Sequence, residues 1–180
     1  MNLHAMFLIS CLSFLGLEGG QAGNDKPVIH EGIVKGSVKE VWTAFTTKEG
    51  IQSWMVPIAD IDLKVGGLMR TSYNPKGKIG DKGTIENTIL SYHPHRMLSI
   101  RATKAPESFP FKNAIQKMWT VIYLTPVGEN QTKVEVISMG FTEDEESQKM
   151  RKHFDFGNAY TLKKLQERFE PKPASPAKAK

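Results

Sequence analysis

The chain has 180 residues, 39% hydrophobic and 24% charged, with a net charge of +5, which suits one domain around one substantial core. Its single cysteine, Cys11, lies in an apolar N-terminal stretch, so the remainder excludes disulfides, thiolate nucleophiles and cysteine-bearing metal sites. No run of basic residues with interleaved aromatics stands out along the sequence of the body, so no nucleic-acid partner is expected. Beyond the N-terminus no apolar run is long enough for an integral membrane span in the mature chain.

Residues 5–17 are largely apolar and are followed by Gly20-Gln21-Ala22, a small-residue exit. Residues 1–22 therefore read as a signal peptide, although Met1 to His4 contains no Lys or Arg. The reading implies an exported protein, periplasmic or secreted; if the segment is not a signal peptide, the protein is expected to be cytoplasmic. Residues 23–170 form the single domain. Residues 171–180, rich in Pro, Ala and Lys, have nothing large and apolar to bury and are expected to be a disordered basic tail.

A first strand is expected over 28–35. Ser37 followed by Glu40 is a capping box, and Val38, Val41, Trp42 and Phe45 recur at helical spacing behind it. Gly50 interrupts that period, a second single-turn helix is expected over 51–54, and Pro57 stops it. Ile61, Leu63 and Val65 alternate with Asp60, Asp62 and Lys64, predicting a half-buried strand that ends in the Gly66-Gly67 turn. Strands follow at 68–74, at 83–92 and at 97–103, separated by turns at Asn74-Pro-Lys-Gly77 and His93-Pro94. His93 and His95 lack the third and fourth partners of a metal site, so the proline-centred turn explains them, and no metal or cofactor is called for. Residues 104–111 form a loop. Strands over 114–125 and 132–138 make a long hairpin around residues 126–130. The closing helix spans 143–169, with acids early and Lys or Arg late, the sense its dipole favours.

Several of these pieces together resemble a known family. Val41-Trp-Thr-Ala-Phe-Thr46, Gly50-Ile-Gln-Ser-Trp54 and Asp62-Leu-Lys-Val-Gly-Gly67 are followed by Gly83-Thr-Ile85, Tyr92-His-Pro-His-Arg-Met-Leu98, Gln131-Thr-Lys-Val-Glu-Val136 and Met139-Gly-Phe141. In this order they are similar to the SRPBCC (START-like, helix-grip) superfamily, in the branch related to the activator of heat-shock-protein-90 ATPase, over about residues 28 to 169. Met55 stands where the family often has a second Trp, and Gly157-Asn158 where it often has Gly-Trp. The pattern of elements gives an α+β fold, and the resemblance makes it a helix-grip: a curved antiparallel sheet of six to seven strands wrapped around the long C-terminal helix, with two short helices after the first strand.

Such a sheet and helix can enclose a space, and small-molecule sites are commonly apolar pockets of this kind. The leading expectation is non-catalytic binding of a small hydrophobic ligand by Trp54, Met69, Tyr73, Met118, Ile122, Phe154, Gly157 and Thr161. Met150, Phe154, Gly157, Thr161 and Leu165 share one face of the closing helix, which either fills the core or, through Gly157, leaves room for a guest. The resemblance implies two alternatives: a protein-partner-binding module of the heat-shock ATPase activator type, or a polyketide cyclase/aromatase-like enzyme with Tyr73 as a conceivable acid or base. Residues 118–124 are apolar on both faces, so Trp119, Val121 and Tyr123 on the outer face suggest a homodimer or partner contact.

Overall fold

The computed structural model describes residues 26–171. The expected signal peptide, and all of the expected tail except Pro171, lie outside the described residues. The elements are β1 (Val28–Val34), α1 (Val38–Thr46), α2 (Lys48–Gln52), β2 (Ile58–Ile61), β3 (Leu68–Ser72), β4 (Ile85–His93), β5 (Met97–Lys104), β6 (Trp119–Gly128), β7 (Gln131–Met139) and α3 (Glu145–Phe169), with a single 3₁₀ turn at Ala114–Gln116 before β6. Every pairing is antiparallel, and the strands lie in the order β1-β7-β6-β5-β4-β3-β2. The result is the curved seven-stranded sheet and long terminal helix of a helix-grip fold.

The capping box forms as the sequence dictates. The Ser37 hydroxyl accepts from the Glu40 amide at 3.3 Å, and Glu40 Oε2 accepts from the Ser37 amide at 2.9 Å, satisfying donors that the first turn leaves unpaired. Helix α1 then buries Val41, Trp42, Ala44 and Phe45. Helix α2 begins three residues earlier than expected, because the Thr47 hydroxyl caps it by accepting from the Gly50 amide at 3.0 Å. Gly50 therefore lies inside α2, where a Cβ would come within 2.1 Å of the Thr43 carbonyl oxygen.

Two expected strands are corrected. The strand predicted at 61–65 lies at Ile58–Ile61 instead, and the alternation that suggested it belongs to a tight turn. There Lys64 N donates to Asp62 O, Gly67 N donates to Lys64 O and Gly66 has φ 79. Val65 is exposed while Leu63 packs on the core, so a turn reproduces the period of a strand. The strand predicted from residue 114 starts at Trp119. Residues Ala114–Gln116 are held as a 3₁₀ turn by Glu146, whose carboxylate accepts from the Asn113 and Ala114 amides at 2.9 and 3.2 Å. At the hairpin, Pro126 belongs to β6 and pairs with Thr132 beside a register shift, a place where the missing amide is tolerated. At the other expected turn, Arg96 N donates to His93 O at 3.0 Å and His95 adopts φ 61.

Helix α3 is fastened along one side of the sheet. Gln166 Nε2 donates to Ile33 O at 3.1 Å, Arg151 Nε to Lys26 O at 3.3 Å, and His30 meets Asp155 at 2.9 Å. These partners lie on or beside β1, so α3 is anchored at that edge of the sheet. The core splits accordingly. One cluster joins α1 and α2 to the sheet and to Leu162 and Leu165. A second gathers Val28, Ile115, Met118 and Phe141 under Met150.

Candidate functional site

Side chains alternate across the sheet, so Ile85 and Asn87 on β4, Ile100 and Ala102 on β5, and Ile122 on β6 share its inner face. With α3 displaced toward β1, they line a cavity of about 440 Å³ between the two core clusters. Seven of the eight expected residues, Trp54, Tyr73, Met118, Ile122, Phe154, Gly157 and Thr161, are in its wall. Met69 is not. It faces inward from β3 but is buried in the cluster beneath α1 and α2, to the side of the cavity. Trp119 also departs from expectation: half-buried at the end of β6, it reaches the cavity wall. Val121 is half-buried and Tyr123 is exposed on the outer face.

The α3 face that left two readings open divides along its length. Met150 is completely buried in the second core cluster, whereas Phe154, Gly157 and Thr161 line the cavity, as does the buried Leu165 at its far end. A Cβ on Gly157 would meet nothing within 4 Å, so open space, not a close neighbour, adjoins this glycine.

The lining is predominantly apolar and includes no Asp, Glu, Lys or Arg. Polar groups are in the minority. Asn158 Nδ2 donates to Ser138 Oγ at 3.0 Å, and Ser138 lies 3.1 Å from Thr120 Oγ1, so Asn158 and Thr120 form a connected polar spot on the wall. The Thr161 hydroxyl is occupied by the Gly157 carbonyl at 2.8 Å. Trp54 Nε1 donates to Ala44 O at 3.0 Å, which fixes its ring edge-on to Phe45. His153 packs among Phe109, Phe111 and Phe154. Desolvation of the phenol at the cavity wall, and then the neighbouring Tyr160, hold the Tyr73 hydroxyl above its ordinary pKa, although the residue as a whole is exposed. At neutral pH it is therefore a protonated hydrogen-bond donor, not a base.

The wall residues from β4, β5 and the 105–109 loop were not singled out by sequence. The inner parity of β4 and β5 was available as a signal for Ile85, Asn87, Ile100 and Ala102; nothing comparable marks Pro106 or Phe109. Among the described residues, no group of three or more His, Cys, Asp or Glu converges as a metal site, and no helix is long and apolar enough to cross a membrane.

Comparison with known proteins supports the same architecture. Protein MLL2253 from Mesorhizobium loti is 19% identical with a TM-score of 0.63, over 79% of this chain and 96% of that one. The Aha1 dimer from Colwellia psychrerythraea gives 18% identity and a TM-score of 0.61, over 81% and 96% of the two chains. Norcoclaurine synthase from Thalictrum flavum, in complex with dopamine and hydroxybenzaldehyde, gives 12% and 0.58, over 93% and 100%. At these identities the likeness is one of fold. No curated protein matches. The profile of the family described as "Activator of Hsp90 ATPase homolog 1-like protein" matches residues 35–170, and the chain belongs to that family.

Proposed function

We propose that the protein is a non-catalytic carrier of a small, uncharged, mostly apolar molecule held between β4, β5 and α3. The observation that carries this reading is the open space beside Gly157 in an apolar cavity of about 440 Å³, a volume typical of ligand pockets. Glycine in a helix interior costs about 1 kcal/mol relative to alanine, and here no packing neighbour requires it. A lining without Asp, Glu, Lys or Arg disfavours a charged guest, since little would compensate its lost hydration. The Asn158–Thr120 spot suits one neutral hydrogen-bonding end, such as a hydroxyl or carbonyl. A cyclase-like reaction finds less support: the wall has no carboxylate, Tyr73 is held protonated, and the one imidazole in the wall, His153, is packed among the rings of Phe109, Phe111 and Phe154.

The test is titration of the neutral fluorescent probe N-phenylnaphthylamine into the parent and Gly157→Phe proteins. The parent is expected to take up the probe in a saturable manner, and the variant to lose uptake while keeping its circular dichroism and melting behaviour. Equal affinity in the two proteins would refute the assignment.

A second property of the same chain is proposed for the outer sheet face, self-association. Ile29, Ile137 and Val121 lie directly beside one another across β1, β7 and β6, with Tyr123 in the adjoining row. The Colwellia relative is described as a dimer. Sedimentation velocity across the micromolar range is expected to show a dimer that Val121→Glu dissociates; a parent monomeric throughout that range contradicts the contact.

A further inference from the structure

The cavity is flanked by aromatic groups that face solvent. Tyr73, in the cavity wall, is 65% exposed, and on α3 Phe156 and Tyr160 are 77% and 56% exposed. Phe156 follows the wall residues His153 and Phe154 and precedes Gly157. Tyr160 lies one turn further along α3, close enough to Tyr73 to raise its proton affinity. Lys152, Phe156, Tyr160 and Lys163 fall at intervals of four, four and three residues, on one outward stripe, and all four are exposed. Neither Lys152 nor Lys163 has an ion pair among the described residues. A helix that shows aromatics flanked by lysines to solvent has the chemistry of an interfacial segment, in which rings enter the headgroup region and ammonium groups meet anionic lipid.

The charge distribution points the same way. Helix α3 carries six Lys or Arg against four acids, and residues 73–84 carry three Lys against Asp81, while the other described residues carry twelve of each sign. The whole net positive charge of the described body is thus on two segments that supply walls of the cavity. The 73–84 segment is tied to the 105–109 loop by the Lys82–Glu107 ion pair at 3.2 Å, so the cationic and apolar parts of the rim are held together. We infer that the Phe156–Tyr160 stripe and the adjoining 73–84 segment dock on an anionic phospholipid surface. The biological use rests on the carrier reading, because a membrane is a phase from which an apolar guest is collected; the docking itself does not.

Co-sedimentation of the full chain with vesicles tests this, using phosphatidylcholine alone or mixed with phosphatidylglycerol. The parent is expected to bind the mixed vesicles preferentially and to lose affinity as salt is raised. Phe156→Ala/Tyr160→Ala is expected to weaken that binding about tenfold, and Lys152→Glu/Lys163→Glu to remove the preference for anionic lipid. Gly157→Phe is expected to dock like the parent even though it takes up no probe, so failure of the cavity reading remains distinguishable from failure of docking. All variants share residues 1–25; if that apolar segment drove binding, the aromatic variant would bind like the parent, and docking by α3 would be overturned. Absence of binding by the parent would overturn it as well. So would a Phe156→Ala change that converts a dimer to a monomer without altering lipid binding, which assigns the stripe to a protein contact.

Discussion

A Cβ on Gly50 would come within 2.1 Å of the Thr43 carbonyl oxygen and 2.9 Å of the Ala44 Cα, both backbone atoms of α1, whereas one on Gly157 would meet nothing within 4 Å. In the sequence Gly50 reads as a break between two helices and Gly157 as a gap inside one, but neither reading says what adjoins the missing side chain. Packing separates them. Gly50→Ala is expected to destabilise by about 1–3 kcal/mol, because backbone must move to admit the methyl. Gly157→Ala is expected to stabilise by roughly 0.5–1 kcal/mol, since the helix gains propensity and no neighbour is displaced. Urea denaturation of the two variants checks both signs; stabilisation of the first or loss in the second would contradict the packing described. Met69 shows the same limit. Its inward parity was legible, but a period of two fixes which face a side chain takes, not which part of that face lies under α3.

At the scale of elements, the caps of α1 and α3 were legible, the Thr47 cap of α2 was missed, and boundaries set by tertiary contact were not legible. Ser37 and Glu40 announce α1, and Asp144, which accepts from the Ser147 amide at 2.9 Å, opens α3 within two residues of the expected start. By contrast the 3₁₀ turn before β6 depends on Glu146, more than thirty residues away. The same contacts make stability depend on acid. The Ser37 hydroxyl and amide lower the Glu40 pKa, the Thr142 hydroxyl and then the Ser147 amide lower that of Asp144, and the Ala114 and Asn113 amides lower that of Glu146. In the unfolded chain these groups take up protons near their ordinary values of 4.5 for Glu and 3.8 for Asp, and in the folded chain only at lower pH. Their contribution is therefore complete above the ordinary values and lost as pH falls through the folded ones. Thermal melts taken from neutral into acidic buffer are expected to show the melting temperature dropping below those values, less steeply in Glu40→Gln and Glu146→Gln. Parallel curves for parent and variants would exclude these carboxylates as the cause.

Across the whole molecule, the order of motifs was enough to identify the architecture, because each motif marks a cap, a turn or a strand end that the fold needs in that sequence. The cavity was foreseeable only in outline. Its existence depends on α3 being drawn to one side by Gln166, Arg151 and Asp155 and their partners on or beside β1, contacts across more than one hundred residues that no local pattern encodes. The mid-helix glycine was the one sequence signal aimed at that space. If the space holds a guest, the protein recovered from its own source should carry one. Native mass spectrometry of the parent and of Gly157→Phe, prepared side by side, measures this most directly. The account predicts a bound small apolar mass on the parent and a bare Gly157→Phe chain; two bare chains, or the same adduct on both, would contradict it.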